Sequence, residues 1–166
     1  MVSGDVTRIR ATDEATLPFP PAEVWKVLAD VAAYPGWWPR HLGLRVLRCE
    51  EGLVGSEVEQ RPFGGRPFLC RVEAVEEPLS IRTRYHGGFI EGRGEWRLEP
   101  VGRGTPVRYE LDVLAEGRLV AFLGRILRLG RLHSRQMEGV FRQIERRLEQ
   151  GKGRRGKGGL DGQGET

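Results

Sequence analysis

The chain has 166 residues, 39% hydrophobic and 30% charged, a balance that suits one soluble domain with a core of its own. No apolar run approaches the roughly 18 residues of a membrane span, and the charged, alternating start MVSGDVTRIRATDE is unlike a secretory signal, so a cytoplasmic protein is the expectation. Half of the net charge of +4 falls in residues 151–166, a Gly/Lys/Arg-rich stretch with almost no apolar side chains that reads as a disordered tail, leaving +2 on the body, residues 1–150; no specific nucleic-acid partner is expected.

Residues 5–17 read as a strand, with Val6, Ile9 and Ala11 imperfectly patterned against Arg8 and Arg10. Pro18, Pro20 and Pro21 break it, and Pro21 is placed to open a helix, where its missing N–H costs nothing. Val24, Val27, Leu28 and Val31 follow at helical spacing, so residues 21–30 are expected as a short amphipathic helix. Next comes YPGWWPRHL (34–42), whose prolines and glycine read as a loop that carries an unusual load of aromatic surface.

From residue 42 to 114 the period becomes two, and turn signals at Glu51-Gly52, Gly64-Gly65, Glu77-Pro78, Gly87-Gly88 and Gly102-Arg103-Gly104 divide the run into about six strands. Short connections make a sequential antiparallel meander the simplest topology. Parity puts Phe68, Cys70, Val72, Ile81, Thr83, Tyr85, Trp96, Leu98, Val107, Tyr109, Leu111 and Val113 on one face. Arg71, Glu73, Arg82, Arg84, Arg93, Glu95, Arg97, Arg108, Glu110 and Asp112 fall on the other, as a solvated ladder of alternating sign. Residues 117–150 then read as a long amphipathic helix with a face through 126, 130, 133, 137, 140/141, 144 and 148, interrupted by Gly124, Gly130 and Gly139.

The fold class is therefore α+β: about seven strands in one curved antiparallel sheet, a long C-terminal helix against its dry face, and one or two short helices after the first strand. Pro21-Ala-Glu23-Val-Trp25 with Leu28, Asp30 and Tyr34-Pro35-Gly-Trp37-Trp38-Pro39 resembles the opening of the START and birch-pollen-allergen helix-grip superfamily (SRPBCC). The likeness is to its bacterial polyketide cyclase/dehydrase and lipid-transport branch. Gly94-Glu-Trp96-Arg-Leu98-Glu-Pro100 and Gly104-Thr105-Pro-Val107-Arg-Tyr109 are similar to that family's paired late strands, and the resemblance covers nearly all of residues 5–150.

The resemblance implies a deep apolar cavity between sheet and helix. Its expected walls are Val72, Ile81, Thr83, Tyr85, Trp96, Leu98, Tyr109 and Leu111. Its expected lid is Trp37, Trp38 and the long helix through Ile126, His133, Met137 and Phe141. A hydrophobic small molecule (a lipid, a quinone or a polyketide-like compound) is the expected partner, with no cofactor.

Candidate chemistry is sparse. His41, His86 and His133 lack metal-ligand spacing, and Cys49 and Cys70 form no CxxC, so neither a metal site nor a disulfide framework is indicated. His133, on the apolar helix face, and the inward Tyr85 and Tyr109 are the polar groups able to orient a ligand or move a proton. Two alternatives to ligand binding stay open: a cyclase/dehydrase-type enzyme using those groups, and an interaction module touching RNA or the ribosome through the basic tail.

Overall fold

The structure is a computed structural model that describes residues 6–117 and 129–157. The first strand, β1 (Val6–Leu17), alternates along its length, with Ile9, Ala11, Ala15 and Leu17 turned to the core side. It is followed by α1 (Pro21–Ala29), opened by Pro21 and burying Val24, Trp25 and Leu28. A 3-10 turn (Val31–Ala33) comes next, with the Asp30 carboxylate accepting from the Ala33 N–H.

The stretch expected as an open loop folds into one helical turn, α2 (Tyr34–Trp37), and a 3-10 turn (Arg40–Leu42). Pro35 sits in the first turn, where no intrahelical donor is needed, and the Trp38 N–H closes the turn on the Tyr34 carbonyl. Tyr34, Trp37 and Trp38 then pack as one aromatic cluster: Trp38 lies stacked on Tyr34 with centroids 5.4 Å apart, and Trp37 meets Tyr34 edge-on at 5.0 Å.

The meander follows as β2 (Leu44–Arg48), β3 (Glu57–Gln60), β4 (Phe68–Glu76), β5 (Ser80–His86), β6 (Ile90–Leu98) and β7 (Thr105–Glu116). The seven strands form one antiparallel sheet in the order β1-β7-β6-β5-β4-β3-β2. β1 pairs along its full length with β7, from Val6 opposite Glu116 to Leu17 opposite Thr105. A bulge after Val72 in β4 shifts the register against β5 and bends the sheet there. The outer face carries the expected ladder of exposed pairs, among them Arg8–Asp112 at 2.6 Å and Arg10–Asp112 at 3.3 Å. Pairs this wet contribute about 0–1 kcal/mol each.

The last element, α3 (Leu129–Lys157), lies across the inner face, against β1 and α1. Met137, Val140, Phe141, Ile144 and Leu148 form its buried stripe, with Val140 and Ile144 sealed completely. Residues 118–128, the first third of the expected helix, lie outside the described residues. At its other end the helix runs past Gln150 to Lys157, seven residues into the segment read as a disordered tail. Extending a formed helix costs far less than nucleating one, and the Lys152 ammonium rests 4.3 Å from the Phe19 ring centroid, which ties the extension to the body.

The interior has two halves. Where β1 ends at Leu17 and β7 begins at Thr105, Phe19, Leu98 and Val107 share one buried core with Val140, Phe141, Ile144 and Leu148 of α3. The Thr105 hydroxyl, fully buried there, donates to the Phe19 carbonyl at 2.7 Å. Between the inner face of the sheet and His133–Met137 of α3 lies a void.

Candidate functional site

That void has a volume of about 270 Å³, on the order of nine water volumes. Its floor is the inward face of β4 to β7, from Val72, Ile81 and Trp96 to Leu111 and Val113. Leu28, Val31, Tyr34, Trp38 and Leu42 close one side, and His133, Gln136 and Met137 of α3 cross above. Phe68, Phe89 and Ile90 extend the lining toward the β5–β6 turn.

Of the residues expected at the site, Trp38, Val72, Ile81, Thr83, Tyr85, Trp96, Tyr109, Leu111, His133 and Met137 line this cavity. Leu98 and Phe141 do not. Both are buried in the core instead, with the Phe141 ring meeting Trp96 edge-on at 6.0 Å. Trp37 is core as well, because consecutive side chains leave the chain in different directions and only Trp38 turns to the void. Ile126 lies outside the described residues. Of the other two histidines, His86 is half-buried on the outer face and hydrogen-bonded to Glu57 at 2.8 Å, while His41 packs against the exposed Phe63 ring.

Two groups of polar side chains meet at the cavity. In the first, the Tyr85 and Tyr109 hydroxyls hydrogen-bond each other, beside Thr83, whose hydroxyl donates to the Gly94 carbonyl at 3.1 Å. Burial raises the proton affinity of both phenols, and in Tyr85 the neighbouring Tyr109 adds to it. Burial likewise pushes the Cys70 thiol up to about 11, partly opposed by the adjacent Thr83 and Tyr85 hydroxyls. All three are neutral at physiological pH. Cys70 faces the cavity and is free; Cys49, the other thiol, is exposed.

In the second group, His133 Nδ1 lies 3.0 Å from Asp13 Oδ2, and the imidazole stacks on the Tyr109 ring with centroids 5.9 Å apart and planes 20° from parallel. Burial lowers the proton affinity of His133, against the opposing pull of Asp13. Asp13 is the buried partner of His133 that sequence reasoning missed. It has the parity of Ile9, Ala11, Ala15 and Leu17, and that was the available signal, but an aspartate in a strand reads as solvent-facing until its partner is known. Ile9, Cys70 and Phe89 were also missed as lining residues, although Ile9 and Cys70 already had inward parity. Among the described residues no group of three His, Cys, Asp or Glu side chains is arranged to hold a metal ion, and no helix is long and apolar enough to cross a membrane.

A curved seven-stranded sheet gripping a C-terminal helix, with an apolar cavity between them, defines a START-like helix-grip protein. The model of the polyketide cyclase/dehydrase and lipid transport family matches residues 8–150, and the chain belongs to that family. Among solved structures it is similar to a START superfamily protein from Mycobacterium smegmatis, with a TM-score of 0.68 at 20% identity over 85% of this chain and 97% of that one. It is also similar to a norcoclaurine synthase point mutant from Thalictrum flavum in complex with a transition-state analogue, with a TM-score of 0.63 at 14% identity over 92% and 99%. At these identities the likeness is one of fold. The persistence and stress-resistance toxin PasT of Escherichia coli O6:H1 is 21% identical over 117 residues, 69% of this chain and 74% of its own.

Proposed function

We propose that this protein binds a hydrophobic small molecule, a lipid, quinone or polyketide-like compound, in the cavity between the sheet and α3. The observation that carries the reading is the cavity itself: about 270 Å³ of space with a lining dominated by aliphatic and aromatic side chains, retained beside a half of the core that packs solidly. An empty apolar void of this size costs stability, whereas burying a ligand chain there contributes about 0.8 kcal/mol per methylene before the cost of association. Neutral phenols, a thiol and an imidazole on one wall supply the few polar contacts that orient such a ligand.

The test is native mass spectrometry and organic extraction of the purified protein, followed by titration with fatty acids, quinones and aromatic polyketides. A co-purifying or added apolar ligand held at one-to-one stoichiometry is the expected result. No binding across the panel would overturn the reading.

A second reading, a cyclase or dehydrase-type enzyme, is favoured by one observation: the Asp13–His133 couple and the Tyr85–Tyr109 pair meet through the stacked Tyr109 and His133 rings. There the imidazole would take a proton from a bound chain while a phenol hydrogen-bonds its carbonyl oxygen. Turnover of a model poly-β-ketone, abolished in His133→Gln and Tyr109→Phe, is the outcome that would favour it over simple binding.

A further inference from the structure

Along the inward face of β1 the side chains run Ile9, Ala11, Asp13, Ala15, Leu17, and Asp13 is only 9% exposed. A carboxylate accepts hydrogen bonds and donates none, so the proton shared with His133 belongs to Nδ1. A neutral ring protonated at Nδ1 presents Nε2 as a bare acceptor. His133 lines the cavity, and among the described residues Nε2 has no hydrogen-bond partner.

Several other polar groups of the cavity are committed, whereas the buried Trp38 indole N–H has no hydrogen-bond partner among the described residues. The Tyr34 hydroxyl donates to the Leu28 carbonyl at 2.5 Å, the Thr83 hydroxyl donates to Gly94, and the two phenols share one hydrogen bond. No Lys, Arg, Asp or Glu is among the described lining residues; Gln60 and Gln136 are neutral. The guanidinium of Arg66 lies outside, exposed, 5.5 Å from the Phe89 ring centroid. An anionic head group drawn into this space would lose its hydration, find no cation among the described lining residues, and face the Asp13 carboxylate behind the imidazole.

We propose, resting on the reading of the cavity as a hydrophobic-ligand site, that its ligand is a neutral apolar molecule carrying a hydroxyl, a phenol or an alcohol, whose O–H donates to Nε2 of His133. Asp13 is a positioning residue that fixes the imidazole tautomer. The stacked Tyr109 ring brings the phenol pair to the same wall, where its remaining proton can be donated to the ligand oxygen. Carboxylate-headed chains of equal length are excluded by charge.

Four matched probes test this by calorimetric titration of the full chain at neutral pH: para-hexylphenol, its methyl ether para-hexylanisole, hexylbenzene and para-hexylbenzoate. The phenol is expected to bind at least tenfold more tightly than the ether and the hydrocarbon, with the benzoate weakest. Nitrogen-15 shifts of the unliganded protein are expected to report an unprotonated Nε2, and Asp13→Asn to redistribute the tautomers and narrow the phenol preference. Replacing both partners together, Asp13→Leu with His133→Leu, should bring phenol and ether within about twofold while hexylbenzene still binds; if that variant does not fold, the wild-type comparison decides alone. Equal affinities for phenol, ether and hydrocarbon would overturn the hydroxyl assignment and leave the cavity reading standing. So would tightest binding of the benzoate, or a phenol preference that survives the paired replacement. Binding of none of the four would remove both.

Discussion

The hydroxyls of Tyr85 on β5 and Tyr109 on β7 meet across the strand between them, over Gly94 of β6. Gly94 pairs with Thr83 on one side and Leu111 on the other, and it points inward. A Cβ there would collide with the Tyr109 hydroxyl and lie 2.9 Å from Thr83 Oγ1. The absent side chain makes room for the polar wall of the cavity.

Gly94→Ala is therefore expected to displace the Tyr109 ring and to destabilise the protein by about 1–3 kcal/mol, the usual cost of overpacking. Urea denaturation measures the loss, and any apolar probe that binds the wild type should bind the variant more weakly. Unchanged stability would mean that the phenol pair is not held against Gly94.

The hydrogen bond between the phenols calls for a double-mutant cycle. Tyr85→Phe and Tyr109→Phe keep ring packing and remove one hydroxyl each. A coupling of about 1 kcal/mol is expected from the shared bond. Strictly additive losses would show that the two hydroxyls do not depend on one another.

The buried imidazole makes stability depend on pH. Burial holds the proton affinity of His133 below the ordinary 6.5 in the folded state, with Asp13 opposing the shift and Tyr109 stacked on the ring. Between the lowered folded value and 6.5 the unfolded chain binds more protons than the folded one, so stability rises with pH in that window. The His133 contribution is complete above 6.5 and is lost progressively as pH falls below it. Chemical denaturation across this range should show that slope in the wild type and a flatter one in His133→Gln.

The four tryptophans divide by position. Trp38 and Trp96 line the cavity, whereas Trp25 and Trp37 are packed in the core. Ligand-induced fluorescence change is expected to fall strongly in Trp38→Phe or Trp96→Phe and to persist in Trp37→Phe, whose effect should appear in thermal stability instead. A signal carried by Trp37 would contradict this division.

Much of the fold was legible because its signals are local. Period-two alternation from residue 68 to 113 marks the buried face of the sheet, and that assignment survives the bulge after Val72. The 3.6-residue period through Met137, Val140, Phe141, Ile144 and Leu148 marks the helix stripe in the same way. YPGW was less readable, because Pro35 and Gly36 suppress a helix prediction although one turn tolerates both. Asp13 was illegible for a different reason: its partner His133 is 120 residues away. Nothing nearby in sequence indicates that a charged strand residue will be buried.

Alternation and amphipathicity alone determined that this chain makes a curved antiparallel sheet with one dry face and a long helix to cover it. They could not determine which inward residues would touch each other and which would face empty space. Leu98 and Tyr109 share the dry face, as Phe141 and His133 share the helix, yet the first of each pair fills the core and the second lines the cavity. The placement of α3 against the sheet decides between these outcomes. That placement is set by contacts between distant segments, β1 with α3 and α1 with α3, and only the tertiary structure contains them.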